Sequence, residues 1–424
     1  MTQNNFKLLR RSSNFLNRIF EKPAWKFDNF VSDPRNKRGQ RWKLPTLMDA
    51  LLLGMLVNRS SLRSVESLTE LTGKSLGKSF KRKVPDSTLY DLLGNLDPGE
   101  LRTQLHAQIR TLARSKSLEP VRLPCGVLAI DNKTIWSGKP DEAEDPNCQL
   151  VRPKDRAPYS QLRVVRSVLI SAAGKPVIDQ EVIRKETNEG GMFEEVFQRL
   201  LEEFNWLFEI ASLDAGFCSL KNANLIAAAG KGYIFGLKGN QPELYLEAQR
   251  VLGGETQPEL STDWERYKGN KIRYHLYRTK EMAGYLSWSH LEQVWRVEKE
   301  IIDKEGKRLL ENHYYATNLH WGRLSGKQIL QVVRGHWGIE NNSNWSLDCI
   351  WDEDTKSWST KGLAIQVLGL LRLMAYNLVA HLRDRYLRKR REKHRWGEWF
   401  DWLFLVVTKE EVQSGKQCCV CCGG

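Results

Sequence analysis

Two short apolar runs, each closed by an aspartate, constrain this chain more than any other feature. Val127-Leu128-Ala129-Ile130 runs into Asp131, and Ile210-Ala211-Ser212-Leu213 runs into Asp214. Runs this short suit strands buried on both faces. A carboxylate closing such a strand projects beyond the sheet edge, where ligands gather in α/β folds. Each acid taken alone reads as an ordinary turn residue. Two of them in one chain ask for adjacent parallel strands, and then for a cation, because neighbouring carboxylates repel.

The pattern around them is consistent with that demand. Leu162 to Ser171 is β-branched and strand-like, Gly174-Lys175-Pro176 turns, and Val177 to Arg184 returns as a hairpin partner. Residues 138–158, rich in Pro and charge, read as a loop. A helix follows over Thr187 to Phe204, a strand over Leu207 to Leu213, a helix over Ser219 to Ala229 and a strand over Tyr233 to Leu237. Three strands and then alternating helix and strand match an α/β fold with an RNase H-like mixed sheet, a meander followed by crossovers.

The flanks differ. Residues 1–118 form a basic, helical N-terminal module with possible DNA-end recognition. Residues 1–40 read as irregular or partly helical, and helices are expected at 44–71, from Asp86 (capped by Asp86 or Ser87) and at Pro98–Ser115. Lys78, Lys81, Arg82 and Lys83 precede the Asp86 helix and suit a helix-turn-helix-like reader, with a plain helical cap the other option. The first part of the core spans 119–241. Residues 242–312 alternate with interleaved aromatics and bases, and read as a β-rich insertion. The core resumes over 313–395 and a tail covers 396–424.

Within 313–395 lies an acid-bearing stretch from Arg334 to Asp354 without a single lysine. As one helix it would line up His336, Glu340, Asn344 and Asp348 on one face, opposite Trp337, Ile339 and Leu347. By itself this reads as a polar helix face. Beside Asp131 and Asp214, Glu340 becomes a third carboxylate, and an all-carboxylate set suits Mg2+ or Mn2+, two ions being expected. Lys133, just after Asp131, and Lys238, at a strand end before Gly239-Asn240-Gln241, either meet phosphate or are turn lysines.

The 424 residues carry a formal charge of +14, which suggests a polyanionic partner, most simply DNA. The run Arg383 to Arg395 reads as a solvated face or a phosphate contact. No apolar run reaches the length of a membrane span, the best being Leu363–Leu371 before Arg372, and the N-terminus has no apolar signal core. No membrane association and a cytoplasmic, nucleoid-associated location are expected. Cys125, Cys148, Cys218 and Cys349 read as buried, reduced thiols, and Cys418–Cys422 as an oxidation-prone tail rather than a metal site.

Six motifs then stand in a familiar order: Gly126–Lys133, Lys185–Glu189, Leu213-Asp214-Ala215, Gly236–Gln241, Arg334–Asn341 and Asp348–Asp354. Over about residues 30–385 the chain resembles the DDE transposases of bacterial insertion sequences, in the branch with the R-x-H-W-x-I-E-N signature. The resemblance implies a catalytic and metal-binding triad of Asp131, Asp214 and Glu340. It also implies metal-dependent cleavage at transposon inverted-repeat ends, strand transfer into target DNA, and a homodimer holding two ends. Arg334, His336, Lys133 and Lys238 become candidate DNA contacts. Trp288 and Trp295 in the insertion are candidates for receiving a base, although core packing is the favoured role for each. Asn132 stands where this branch has Gly, and Val333, His336 and Leu347 where wider relatives have Tyr, Arg and Lys. The alternatives are a non-catalytic DNA-binding derivative, an RNase H-like nuclease that never joins DNA, and, remotely, a basic membrane-surface protein.

Overall fold

Eleven strands in one mixed sheet organise the computed structural model, which describes residues 3–72, 74–75, 78–80, 82–254, 257–339, 344–354, 357–387 and 396–408. The chain starts with helices: α1 (Gln3–Phe20), α2 (Leu44–Leu56) and α3 (Leu62–Thr72). A two-residue ladder pairs β1 (Lys74–Ser75) with β2 (Lys78–Ser79) before α4 (Asp86–Leu93) and α5 (Pro98–Arg114). Pro45 and Pro98 occupy first-turn positions, where a missing N–H costs nothing. Asp97 caps α5 by accepting from the Gly99 N–H at 2.8 Å. At α4 the expected cap is replaced: Pro85 holds the N-cap position, and neither Asp86 nor Ser87 does. The segment expected to be irregular or partly helical contains α1, whose Phe15, Leu16, Ile19 and Phe20 are buried.

The core strands are β3 (Val127–Gly138), β4 (Gln149–Val151), β5 (Tyr159–Leu169) and β6 (Val177–Val182). Helix α6 (Glu189–Phe204), β7 (Ile210–Leu213), α7 (Leu220–Ala228) and β8 (Gly232–Leu237) complete the crossovers. β3 pairs antiparallel with β5 and parallel with β7, β5 pairs antiparallel with β6, and β7 pairs parallel with β8. The resulting order β6-β5-β3-β7-β8 is the RNase H-like arrangement expected from the strand and helix alternation. Asp131 does not end its strand. β7 stops at Leu213, but β5 runs on beside β3 and keeps it extended to Gly138.

Beyond β8 come α8 (Pro242–Gly253), β9 (Leu260–Ser261), β10 (Glu265–Tyr267), β11 (Asn270–Thr279), β12 (Gln293–Ile302) and β13 (Arg308–Thr317). β13 pairs antiparallel with β8, so these strands widen the core sheet. The chain then makes α9 (Gly326–Gly338), α10 (Trp345–Trp351), α11 (Ala364–Leu387) and α12 (Trp396–Thr408). Ser325 and Gln328 close a reciprocal capping box at the start of α9. The helix expected through Asp354 stops earlier: Asp352 is left-handed (φ 49°) and ends α10.

Helices cover both faces. α5 and α6 meet one side through Asp179 of β6, which binds His106 at 2.8 Å and Arg199 at 2.9 Å. α9 packs on β7 from the other side, and α11 packs there beside it on β3 and β6. α11 matches the long helix that the sequence suggests over Gly362 to Arg388, and differs from expectation only in its apolar length. Over Ala364–Arg385 it is long and apolar enough to cross a membrane, and 94% of its most apolar window is buried inside the molecule. Arg372 does not interrupt it, because Glu353 and Asp352 offset the buried charge. The basic residues from Arg388 to Arg395 and the cysteines from Cys418 to Cys422 lie outside the described residues.

Candidate active site

Register fixes the neighbourhood of the two aspartates. Ile130 pairs with Leu213, and Leu213 with Phe235. Asp131, Asp214 and Gly236 are each one residue further on, so they share one level and one face of three adjacent strands. The level continues sideways. Arg166 of β5 is directly opposite Asp131, Gln180 of β6 is opposite Arg166, and Tyr315 of β13 is opposite Gly236. One polar row therefore crosses the sheet where β7 ends.

Asp214 holds the N-cap position of the short turn Ala215–Phe217, yet its side chain makes no cap hydrogen bond. It is half exposed (51%), and the Lys238 Nζ stands 3.9 Å from its Oδ1. Lys238 is itself 69% exposed, so this is a loose pair in solvent. The Asp131 Oδ1 accepts from the Asn132 N–H at 2.8 Å. Asn132 thus supplies a backbone contact that does not depend on its side chain.

His336 on α9 faces the same side. Its Nδ1 is 3.0 Å from the Ser212 Oγ, two residues before Asp214. Burial pushes its imidazole down to about 4, against the pull of the Asp214 charge, so it is neutral at pH 7. Trp337 beside it packs against His313 and Tyr274. Burial raises the Tyr315 phenol, with Trp337 as a hydrogen-bonding neighbour.

Glu340 and the three residues after it lie outside the described residues, but His336 and Asn344, four positions before and after Glu340, lie within them. On one side His336 is tied to β7 through Ser212. On the other, the Asn344 Oδ1 accepts from Arg166 of β5 at 3.1 Å. β3, with Asp131, runs between those two strands.

The remaining candidates separate. Lys133, on the same face as Asp131, donates to Asp348 of α10 at 2.6 Å, and burial raises the Asp348 carboxyl against the pull of this lysine. Arg334 is bidentate to Glu265 (2.9 and 2.6 Å) and stacks over Tyr274. Trp288 and Trp295 are buried, 5% and 1% exposed, and the Trp295 indole N–H donates to Gln293. The tryptophans with open faces in this region are Trp264, stacked under Arg273, and Trp321, under Arg278. Sequence reasoning missed Arg166, the partner of Glu353 in the Asp348–Asp354 motif. Both are fully buried, and the Arg166 Nη2 donates to the Glu353 carboxylate at 3.0 and 3.1 Å. An arginine inside the β-branched run of β5 was the available signal.

Among the described residues no cluster of three metal-ligating side chains forms, with Glu340 outside that set. The donors present are the carboxylate oxygens of Asp131 and Asp214, at one level of neighbouring strands, with the Lys238 ammonium loosely paired to Asp214. That chemistry fits a hard divalent cation.

The family model for the transposase DDE domain matches residues 150–378. The protein YbfL of Escherichia coli (strain K12) is 26% identical over 184 residues, covering 41% of this chain and 48% of that protein. The chain thus spans about half the length of that relative. A piggyBac transposase, solved as a synaptic complex with hairpin DNA, has a TM-score of 0.44 and 11% identity over 97% of this chain and 80% of its own. The matched region takes in Asp214, all the core strands from β5 onward and most of α11, and the chain belongs to the transposase DDE-domain family.

Proposed function

We propose that this chain is a DNA transposase that cuts at the ends of its element in a divalent-metal-dependent reaction and joins the freed 3′-hydroxyl to target DNA. The observation that carries the reading is the register of β3 and β7, which leaves Asp131 and Asp214 side by side just past the last paired residues. Glu340 is the third acid in this reading. Its support is that His336 and Asn344, four residues before and after it, hold to the strands that flank β3.

Asp131, Asp214 and Glu340 would hold the metal. A bound divalent ion supplies charge neutralisation at phosphate and a more acidic water or 3′-hydroxyl as nucleophile. The chain's own groups do the rest. Lys238 extends from the end of β8 beside Asp214 and can meet a phosphate oxygen. Neutral His336 adds no competing charge and holds α9 to β7. The net charge of +14 favours DNA as the partner. A homodimer pairing two ends and a cytoplasmic, nucleoid-associated location belong to the same proposal.

The test is a supercoiled plasmid carrying the element's inverted repeats, incubated with protein and Mg2+ or Mn2+. Nicks with 3′-hydroxyl ends and joined products are expected only with metal. Asp131→Asn and Asp214→Asn should lose about a thousandfold in rate, several kcal/mol of charge stabilisation. Cleavage without joining would mean a nuclease. Metal-independent DNA binding without cleavage would mean a non-catalytic derivative. Full activity in either variant would remove that acid from the site.

A further inference from the structure

We propose that Arg166 and Glu353 are positioning residues that set the metal affinity of the site by bracing the 344–354 segment over Asp131. The proposal rests on the reading of Asp131, Asp214 and Glu340 as metal ligands.

The segment is pinned at several points along β3 and its neighbour. The Asn344 amide oxygen and the Glu353 carboxylate both accept from Arg166, the residue directly opposite Asp131. Asp348 binds Lys133, two residues beyond Asp131 on the same face. The Ser137 N–H of β3 donates to the Asp354 carbonyl at 3.0 Å. Arg166 also donates twice to Gln180, at 3.0 and 2.6 Å, so its guanidinium plane is held from β6 as well. Asn344 stands four residues after the proposed third acid in sequence, and the brace fixes it against β5.

A buried ion pair is a poor device for stability, since apolar residues of similar volume do as well or better. Its strength is geometry: a planar, multiply bonded guanidinium allows one arrangement of its partners. Here that arrangement lies one strand from a proposed metal ligand. Ligand sets tolerate little displacement, and groups that orient ligands commonly govern affinity tenfold or more.

The experiment separates bracing from folding. The double variant Arg166→Met with Glu353→Leu removes one charge of each sign, so the buried Arg372 loses an attraction and a repulsion together. Asn344→Ala leaves the ion pair and removes only its link to residue 344. Each protein, with end DNA bound, is titrated with Mn2+ by electron paramagnetic resonance, and nicking is followed against Mg2+ concentration. The expected result is a rise of at least about tenfold in the Mn2+ dissociation constant and in the Mg2+ midpoint for the double variant, and a smaller rise in the same direction for Asn344→Ala. Affinity for end DNA without metal should stay within about twofold of the wild type, because none of these side chains is proposed to touch DNA. A folded double variant with an unchanged metal constant overturns the brace. If that variant does not fold, an unchanged constant in Asn344→Ala overturns it. Asp131→Asn in the same titration keeps the two ideas apart: if it binds Mn2+ like the wild type, the ligand assignment fails rather than the brace.

Discussion

Glu353→Ala offers the sharpest stability test of the buried network. Arg166 and Glu353 are both fully buried, with two close contacts between the Arg166 Nη2 and the carboxylate. Removing the carboxylate leaves the guanidinium with only amide oxygens, those of Gln180 and Asn344. It also removes an anion that offsets Arg372, whose guanidinium is already held below its usual range by burial and by the Arg166 charge. Breaking a buried pair from one side costs about 3–5 kcal/mol, and the second arginine argues for the upper part of that range. That is a large share of the 5–15 kcal/mol by which folded proteins exceed their unfolded states, roughly speaking. Urea unfolding followed by tryptophan fluorescence and by circular dichroism measures it. The apolar double variant should remain within about 1.5 kcal/mol of the wild type in the same assay. A Glu353→Ala protein within about 1 kcal/mol of the wild type would refute the reasoning, since it would mean that water or another anion satisfies Arg166.

Two further outcomes follow from the geometry. Burial holds His336 and His381 down to about 4, while an unfolded imidazole takes its proton near 6.5. The stability from each is therefore complete above about pH 6.5 and is lost as pH falls towards 4, up to about 3 kcal/mol apiece. His381→Phe should flatten that slope in denaturation series at pH 7.5 and 4.5, and an unchanged slope would clear His381. Gly126→Ala puts a methyl group 2.0 Å from the Leu207 carbonyl oxygen, so it must push β3 away from the chain entering β7. A loss of about 2 kcal/mol or more in the unfolding midpoint is expected, and a neutral result would mean the strands part easily.

The sheet was legible because the mutually paired parts of β3, β7 and β8 are short apolar runs, with helices α6 and α7 leading into β7 and β8. The acids were legible for the same reason, since Asp131 and Asp214 are the first polar residues after Val127–Ile130 and Ile210–Leu213. The extension of β3 past Asp131 was not, because it depends on how far β5 runs beside it, which is a matter of pairing. The end of α10 at Asp352 was hidden too. Left-handed aspartate is uncommon, and nothing local demands it. Arg166 and Glu353 are 187 residues apart, so no spacing rule could join them. Trp288 and Trp295 look as free as Trp264 and Trp321 in a string of letters. α8 packs on β11, β12 and β13, and that packing is a tertiary fact. Lys133 likewise read as a phosphate contact, and in the fold it meets Asp348.

The central claim is that Asp131 contributes a carboxylate oxygen to a divalent metal in the cutting reaction. Asp131→Cys tests it most directly, because a thiolate is a poor ligand for Mg2+ and a better one for softer Mn2+. The measurement is the ratio of nicking rates in Mn2+ and Mg2+ on plasmids carrying the element's ends. The account predicts a ratio at least about tenfold above that of the wild type, with activity nearly absent in Mg2+ and partly restored in Mn2+. A variant whose Mn2+ to Mg2+ ratio equals the wild type's would contradict it.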